Sequence, residues 1–299
     1  MSTNLSARFV ANLVQVYATL RPQALSPVFL SDLKSVYATL PMASEDNLLF
    51  LAKRFDKWRK LTEDLVRQRV RSLAHDDPLK CPISLFRTMD AGRLEVAHTR
   101  ILAWLLNPDA EHGFGTTLLA ALLTRISGMD CSHGLRVMQV KTEYPTDSGV
   151  KGRLDVLAEG AWEDPSRKGW VLVIEAKIDA GEGEDQLQKY ETWLRSKAVG
   201  RKIIRIFLTA DRRPPETGAV EWEVLSFLDL VRIFRAAYGT LLHAPGFHFL
   251  RFYLAGILHD VCHFPRNIEK ETADPYALAS YLDSVCEASY EGTNHDAAR

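Results

Sequence analysis

Residues 153–159, RLDVLAE, and 170–177, WVLVIEAK, decide how this chain is read. Both are short runs rich in Val, Ile and Leu, too short for a buried helix and apolar enough for strands covered on both faces. The segment between them, GAWEDPSRKG, has the Gly, Pro and charges of a hairpin connection. Outward from this pair the pattern continues. Leu135–Tyr144 alternates as a strand, Asp185–Lys197 (DQLQKYETWLRSK) is an amphipathic helix, and Lys202–Thr209 (KIIRIFLT) is another strand. A further strand is expected at Glu221–Leu225, with a helix over Leu228–Tyr238 and helical structure on to about Cys262. Upstream, Arg93–Leu106 reads as a helix stopped by Asn107-Pro108, and TTLLAALLTRI, residues 116–126, as a buried helix. The order helix, three strands, helix, strand predicts an α/β domain with a mixed sheet.

Two of these strands carry charge where an apolar residue would be expected. Asp155 lies inside the first run, Glu175 inside the second, and Lys177 closes the second. Side chains two apart on a strand share a face, so Glu175 and Lys177 point the same way, and hairpin pairing can bring Asp155 beside them. Buried charges without partners are costly, and adjacent carboxylates repel. A divalent cation relieves both problems. Mg²⁺ prefers one or two carboxylates with water and phosphate oxygens, and can polarise a phosphate and activate water. Lys177 could then orient or deprotonate that water, or stabilise developing charge. The pattern suits phosphodiester hydrolysis. The competing reading is a buried ion pair that only supports the fold.

The pieces GRLDVLAEG and WVLVIEAKIDAGEGEDQLQKYETWL resemble the core of the PD-(D/E)xK nuclease superfamily. In that pattern Asp155 matches the first metal-binding carboxylate, although Leu154 stands where the literal Pro would be. Glu175 and Lys177 match the E-x-K element, and the carbonyl of Ala176 is implied as a further metal ligand. Gln186 and Tyr190, four apart on the following helix, resemble the Q-x3-Y element of RecB-like domains, which implies a substrate-positioning role. LEVAHTRILAWLLNPDAEHGFG resembles the opening of a bacterial subfamily. There Glu95 matches a helical glutamate that serves the metal, and His98 is an accessory candidate that could favour Mn²⁺ or simply fix the helix. The resemblance implies a restriction-endonuclease-like core with helical additions at both ends. It also implies Mg²⁺ or Mn²⁺ as cofactor, and nucleic acid, DNA more than RNA, as substrate. Defence against phage or mobile DNA, or repair, is the implied role, with a homodimer as a candidate assembly. The alternative is a catalytically silent binding or interaction module on the same fold.

The expected organisation is a helical region over 1–80, the core over 81–240 and a helical extension with a frayed tail over 241–299. In the first part, helices are expected near residues 9–20 and 27–40, each ending in VYATL, and over 45–75. The stretch 53–71 is the most basic of the chain, read as a solvated face or as a phosphate-contacting surface. His259 and His263 have a spacing that can bind metal on a helix but lack a third ligand, and His112-Gly113 reads as a turn.

Composition narrows the classes further. Hydrophobic residues at 46% and charged residues at 25% fit a globular protein and argue against disorder. A net charge of −1 means that binding to nucleic acid needs a local patch or a cation rather than bulk charge. Cys81, Cys131, Cys262 and Cys286 form no C-x-x-C pair, which argues against structural zinc and for reduced thiols. The N-terminus does not read as a secretory signal and no window approaches a membrane span, so a cytoplasmic location is expected. Neither a phosphate-binding Gly-rich loop with Lys-Ser/Thr nor a G-x-S-x-G motif occurs.

Overall fold

In a computed structural model, residues 60, 64–83, 85–131, 134–146, 152–164, 166–183, 185–216, 221–266, 278, 281 and 282 are described. The expected helices near 9–20 and 27–40, most of the basic stretch and the C-terminal tail lie outside them. The described residues fall into two compact units: 73–266, and a smaller group comprising 60, 64–72, 278, 281 and 282. In the smaller group, residues 64–72 are helical.

The larger unit is built on a five-stranded sheet in the order β1-β2-β3-β4-β5. The strands are β1 (Leu135–Pro145), β2 (Arg153–Trp162), β3 (Trp170–Lys177), β4 (Lys202–Thr209) and β5 (Glu223–Ser226). The helices are α1 (Leu85–Thr88), α2 (Glu95–Leu106), α3 (Thr117–Ser127), α4 (Gln186–Lys197), α5 (Phe227–Ala236) and α6 (Phe247–Gly256). β1, β2 and β3 pair antiparallel, whereas β3–β4 and β4–β5 pair parallel. The result is the mixed sheet with flanking helices that the sequence predicts.

Every residue of β3 is buried, as befits a central strand covered on both faces. On one face, Leu187, Tyr190, Trp193 and Leu194 of α4 pack against Leu154 and Leu157 of β2, Val171 and Val173 of β3, and Phe207 of β4. Each such aliphatic or aromatic side chain contributes about 1.5–3 kcal/mol by leaving water. α2 also packs against β1, β2 and β3. Gly160 of β2 pairs with Trp170 of β3, and a Cβ there would meet Trp170 Cζ2 at 2.3 Å. The glycine is what admits the indole.

Some boundaries differ from those expected. β2 runs on to Trp162 because β1 keeps pairing with it as far as Leu135. α5 begins at Phe227, since the Ser226 side chain accepts from Asp229 N while the Asp229 carboxylate accepts from Ser226 N, a capping box. Helical structure up to Cys262 is interrupted. A 3-10 turn at Tyr238–Leu241 precedes α6, whose last turn widens into a π-helical segment, Ile257–Val261. His263 lies beyond it at φ +57°, and the buried His259 bonds through Nδ1 to Phe264 O, so the two histidines do not share a helical face. Cys81, Cys131 and Cys262 are free thiols. Among the described residues no helix is long and apolar enough to cross a membrane.

Candidate active site

The site forms where the sheet divides. β2 and β3 pair from Gly160↔Trp170 to Val156↔Ile174 and no further. Beyond that level β2 keeps only β1, through Leu154↔Tyr144 and Arg153↔Pro145. β3 keeps only β4, through Glu175↔Phe207 and Lys177↔Thr209. Extending the β2–β3 register by one position brings Asp155 level with Glu175. The Asp155 side chain spans the opening, where Oδ2 accepts a 2.9 Å hydrogen bond from Ala176 N. Alternation along β3 puts Glu175 and Lys177 on the face of Val171 and Val173, the face that α4 covers.

Lys177 Nζ lies 2.6 Å from Glu175 Oε1. The same oxygen accepts from Gln186 Nε2 at 2.7 Å, and Gln186 Nε2 also donates to Tyr190 Oη at 2.9 Å. The Tyr190 hydroxyl in turn donates to Arg153 O on β2. α4 therefore ties Glu175 on one side of the opening to the backbone of β2 on the other. Gly152 makes room for it, since a Cβ there would lie 2.9 Å from Tyr190 Cε1.

Glu95, at the first residue of α2, reaches the segment that follows β3. Its Oε1 accepts from Ile178 N at 2.7 Å and from Ala180 N at 3.3 Å. A carboxylate suits the positive end of a helix. The same segment is held from outside by Arg213, which donates to Ala180 O, and by Asp179, gripped by both arms of Arg93 at 2.8 and 2.5 Å. Arg93 also donates to Asp260 O at 3.0 Å. Arg93 and Asp179 are 86 residues apart, and no local pattern in the sequence announces the pair.

The electrostatics are unbalanced. Burial, then the Asp155 charge, pushes Glu175 up to about 8, against the opposing pull of Lys177. Burial also raises Asp155 to about 6, opposed by the Ala176 hydrogen bond and Lys177, and reinforced by Glu143 and Glu95. For Lys177 the largest single effect is burial, which disfavours its charge. Glu175, Asp155 and Glu95 together outweigh burial and raise it, keeping the group an ammonium. Asp155, Glu175 and Glu95 thus outnumber Lys177. Glu175 itself is fully buried, and its Oε2 has no hydrogen-bond partner among the described residues.

Those atoms fit a hard divalent cation, which takes oxygen ligands and, for Mg²⁺, needs only one or two carboxylates beside water and substrate oxygens. Glu175 Oε2 is unpartnered, and Asp155 Oδ1 lies outside the bond to Ala176. Among the described residues no three His, Cys, Asp or Glu side chains already form a complete cage. The Glu95 carboxylate bears on both Asp155 and Glu175 electrostatically, and its Oε1 is committed to the backbone.

His98 does not join this group. Its ring is buried among Phe86, Phe227 and Tyr253, and its Nε2 pairs with Gly92 O at 3.0 Å. Burial lowers its pKa, so the imidazole is neutral. His112 is likewise buried. Its Nδ1 accepts from Phe114 N, which makes Nε2 the donor to Trp104 O at 3.0 Å and shapes the turn with Gly113 at φ +74°. Glu143 is a site neighbour that the sequence did not single out. It is one polar residue among several in an alternating strand, and only the β1–β2 register sets it beside Asp155.

No curated protein and no solved structure matches the chain. The model of one protein family does match, over residues 84–252, a span that holds Glu95, Asp155, Glu175, Lys177, Gln186 and Tyr190 together with the whole sheet. By that match and by this fold, the chain belongs to the PD-(D/E)XK nuclease superfamily.

Proposed function

We propose that the protein is a cytoplasmic, Mg²⁺- or Mn²⁺-dependent nuclease that hydrolyses phosphodiester bonds, of DNA in preference to RNA. The observation that carries this reading is the fully buried Glu175, whose Oε2 has no hydrogen-bond partner among the described residues although a lysine and a glutamine crowd its other oxygen. An orphaned buried acceptor costs about 1–3 kcal/mol, a cost that a cation held there would offset. Asp155 and Glu175 hold the cation, with Glu95 in support. The cation, when bound, supplies positive charge against the phosphate and activates the attacking water.

The protein's own groups do the rest. Lys177, whose charge its carboxylate neighbours favour, orients the nucleophile and stabilises charge on the phosphate. Gln186 fixes Glu175 Oε1, so that Oε2 keeps one direction. Tyr190 holds β2 at Arg153 and with it the position of Asp155, and through these contacts the pair positions substrate. Glu95 holds the segment after Lys177 from its N–H side. A role in defence against phage or mobile DNA, or in repair, and a dimeric form for cutting duplexes rest on the family resemblance.

The test is cleavage of single- and double-stranded DNA and RNA by purified protein with Mg²⁺, Mn²⁺ or EDTA. DNA should be cut with either metal and not in EDTA, and Lys177→Ala should bind DNA but cut it about 10²–10³-fold more slowly. Binding without cleavage under every metal would make the protein a silent module on a nuclease fold.

A further inference from the structure

Arg153 precedes Asp155 by two residues on β2, and so shares its face of the strand. Its side chain is 71% exposed, and among the described residues its guanidinium has one ion pair, Nη1 to Glu143 Oε2 at 3.3 Å. The base of the residue is held far more firmly than its tip. The Arg153 carbonyl accepts from the Tyr190 hydroxyl, which accepts from Gln186, which donates to Glu175. One chain of hydrogen bonds therefore sets the arginine's Cα relative to the carboxylates.

Glu143 has its own peculiarity. Thr142↔Val156 and Tyr144↔Leu154 bracket it, so it lies opposite Asp155 across β1 and β2. Its φ is +50°, a left-handed conformation that few side chains other than Asn and Asp adopt. From there its carboxylate reaches Arg153 and its charge acts on Asp155. The carboxylates gathered around the opening are thus Asp155, Glu175, Glu95 and Glu143, with Lys177 already committed to Glu175. A nucleic-acid strand brings a phosphate with every nucleotide, and the one beside the reacting phosphate needs a cation of its own. Arginine is the side chain for that task, because its planar fork meets two phosphate oxygens at once. An exposed ion pair is worth little and yields readily to such a ligand.

We propose that Arg153 grips the phosphate adjoining the scissile one, and that Glu143 is its resting counter-ion, given up when the strand arrives. This rests on the nuclease reading and adds a substrate contact to it.

The test is binding of a fluorescent single-stranded DNA oligonucleotide, followed by anisotropy over a range of salt. Ca²⁺ replaces Mg²⁺, and the oligonucleotide is checked to be intact. Each phosphate contact contributes about 0.7 to the slope of log K against log salt for a single strand. Arg153→Ala should lower the slope by about that amount and weaken binding equally for unrelated sequences. Arg153→Lys should keep the slope, and Glu143→Gln should keep it while binding more tightly. Thermal unfolding of Arg153→Ala should match that of the parent, since the side chain is exposed. An unchanged slope in Arg153→Ala, or a Glu143→Gln variant that loses affinity as Arg153→Ala does, overturns the inference and leaves the nuclease reading standing. Failure of the parent protein to bind any oligonucleotide removes both.

Discussion

Two buried acid–base pairs lie in the same unit, and they are built differently. Asp77 is fully buried, and both of its oxygens are used. Oδ1 accepts from Leu79 N at 2.9 Å, and Oδ2 takes Arg235 Nε and Nη2 at 3.1 and 3.0 Å. Glu175 is equally buried, but Lys177 and Gln186 meet on one oxygen while the other has no hydrogen-bond partner among the described residues. At Asp77 two guanidinium N–H groups converge on Oδ2 while a backbone N–H takes Oδ1, so charge and hydrogen-bonding capacity are both met, which helps to repay desolvation. At Glu175, Asp155 and Glu95 add negative charge that Lys177 alone does not balance. The first pair joins the turn before α1 to α5 and closes. The second keeps more negative charge around it than Lys177 balances. Burial of an ion pair is therefore no guide to its purpose, whereas the balance of donors, acceptors and charge around it is.

The contrast can be broken most directly from the closed side. Asp77→Ala should cost about 3–5 kcal/mol of stability, because it strands a buried guanidinium. Urea unfolding would show it as a lower midpoint, and a loss below 1 kcal/mol would mean that the closed pair is not the lock described. At the open side the loss should fall on turnover. Lys177→Ala should reduce kcat by about 10²–10³-fold, the usual effect of removing one charge-stabilising group. Its unfolding midpoint in EDTA should move less than that of Asp77→Ala, because Glu175 can take up a proton when its partner goes.

A pH series sharpens the difference. The folded-state pKa of Glu175 is raised above its unfolded value, so the native state binds the extra proton and is stabilised at low pH. Stability of the metal-free protein should fall as pH rises from about 4.5 to about 8, by at most about 1.4 kcal/mol per unit. Asp155 adds to the decline between about 3.8 and 6. Glu175→Gln should flatten the upper part of this profile, measured in EDTA, and a slope that persists in the variant would assign it elsewhere. The smallest effect is expected at Tyr190→Phe, which removes the hydroxyl bond to Arg153 O and costs about 1 kcal/mol. It should lower kcat severalfold through the displaced carboxylates, with the loss partitioned by comparing kcat and KM at fixed metal.

Much of the sheet is legible in the sequence because its signals are local. WVLVIEAK is apolar enough to be the central strand, KIIRIFLT is found at the bounds expected, and the two-residue period alone puts Glu175 and Lys177 on one face. The i,i+4 spacing of Gln186 and Tyr190 is local in the same way, and the two side chains do meet. What each residue touches is a different matter. His98 is one turn along α2 from Glu95, yet its ring lies in an aromatic core while Glu95 turns to the segment after β3. Spacing on a helix leaves that choice open, because it depends on which neighbours cover each side.

The sequence by itself thus determined the strands, the shared face of Glu175 and Lys177, and the superfamily pattern, all of which follow from spacing along the chain. Only the tertiary structure decided where the sheet divides, that Glu95 reaches Ile178 across 83 residues, that Tyr190 pins Arg153, and that Glu143 stands opposite Asp155. Those facts depend on register and on which distant groups satisfy one another. That Glu175 Oε2 has no hydrogen-bond partner among the described residues is the sharpest of them, since a missing bond can be seen only once the neighbours are placed in three dimensions.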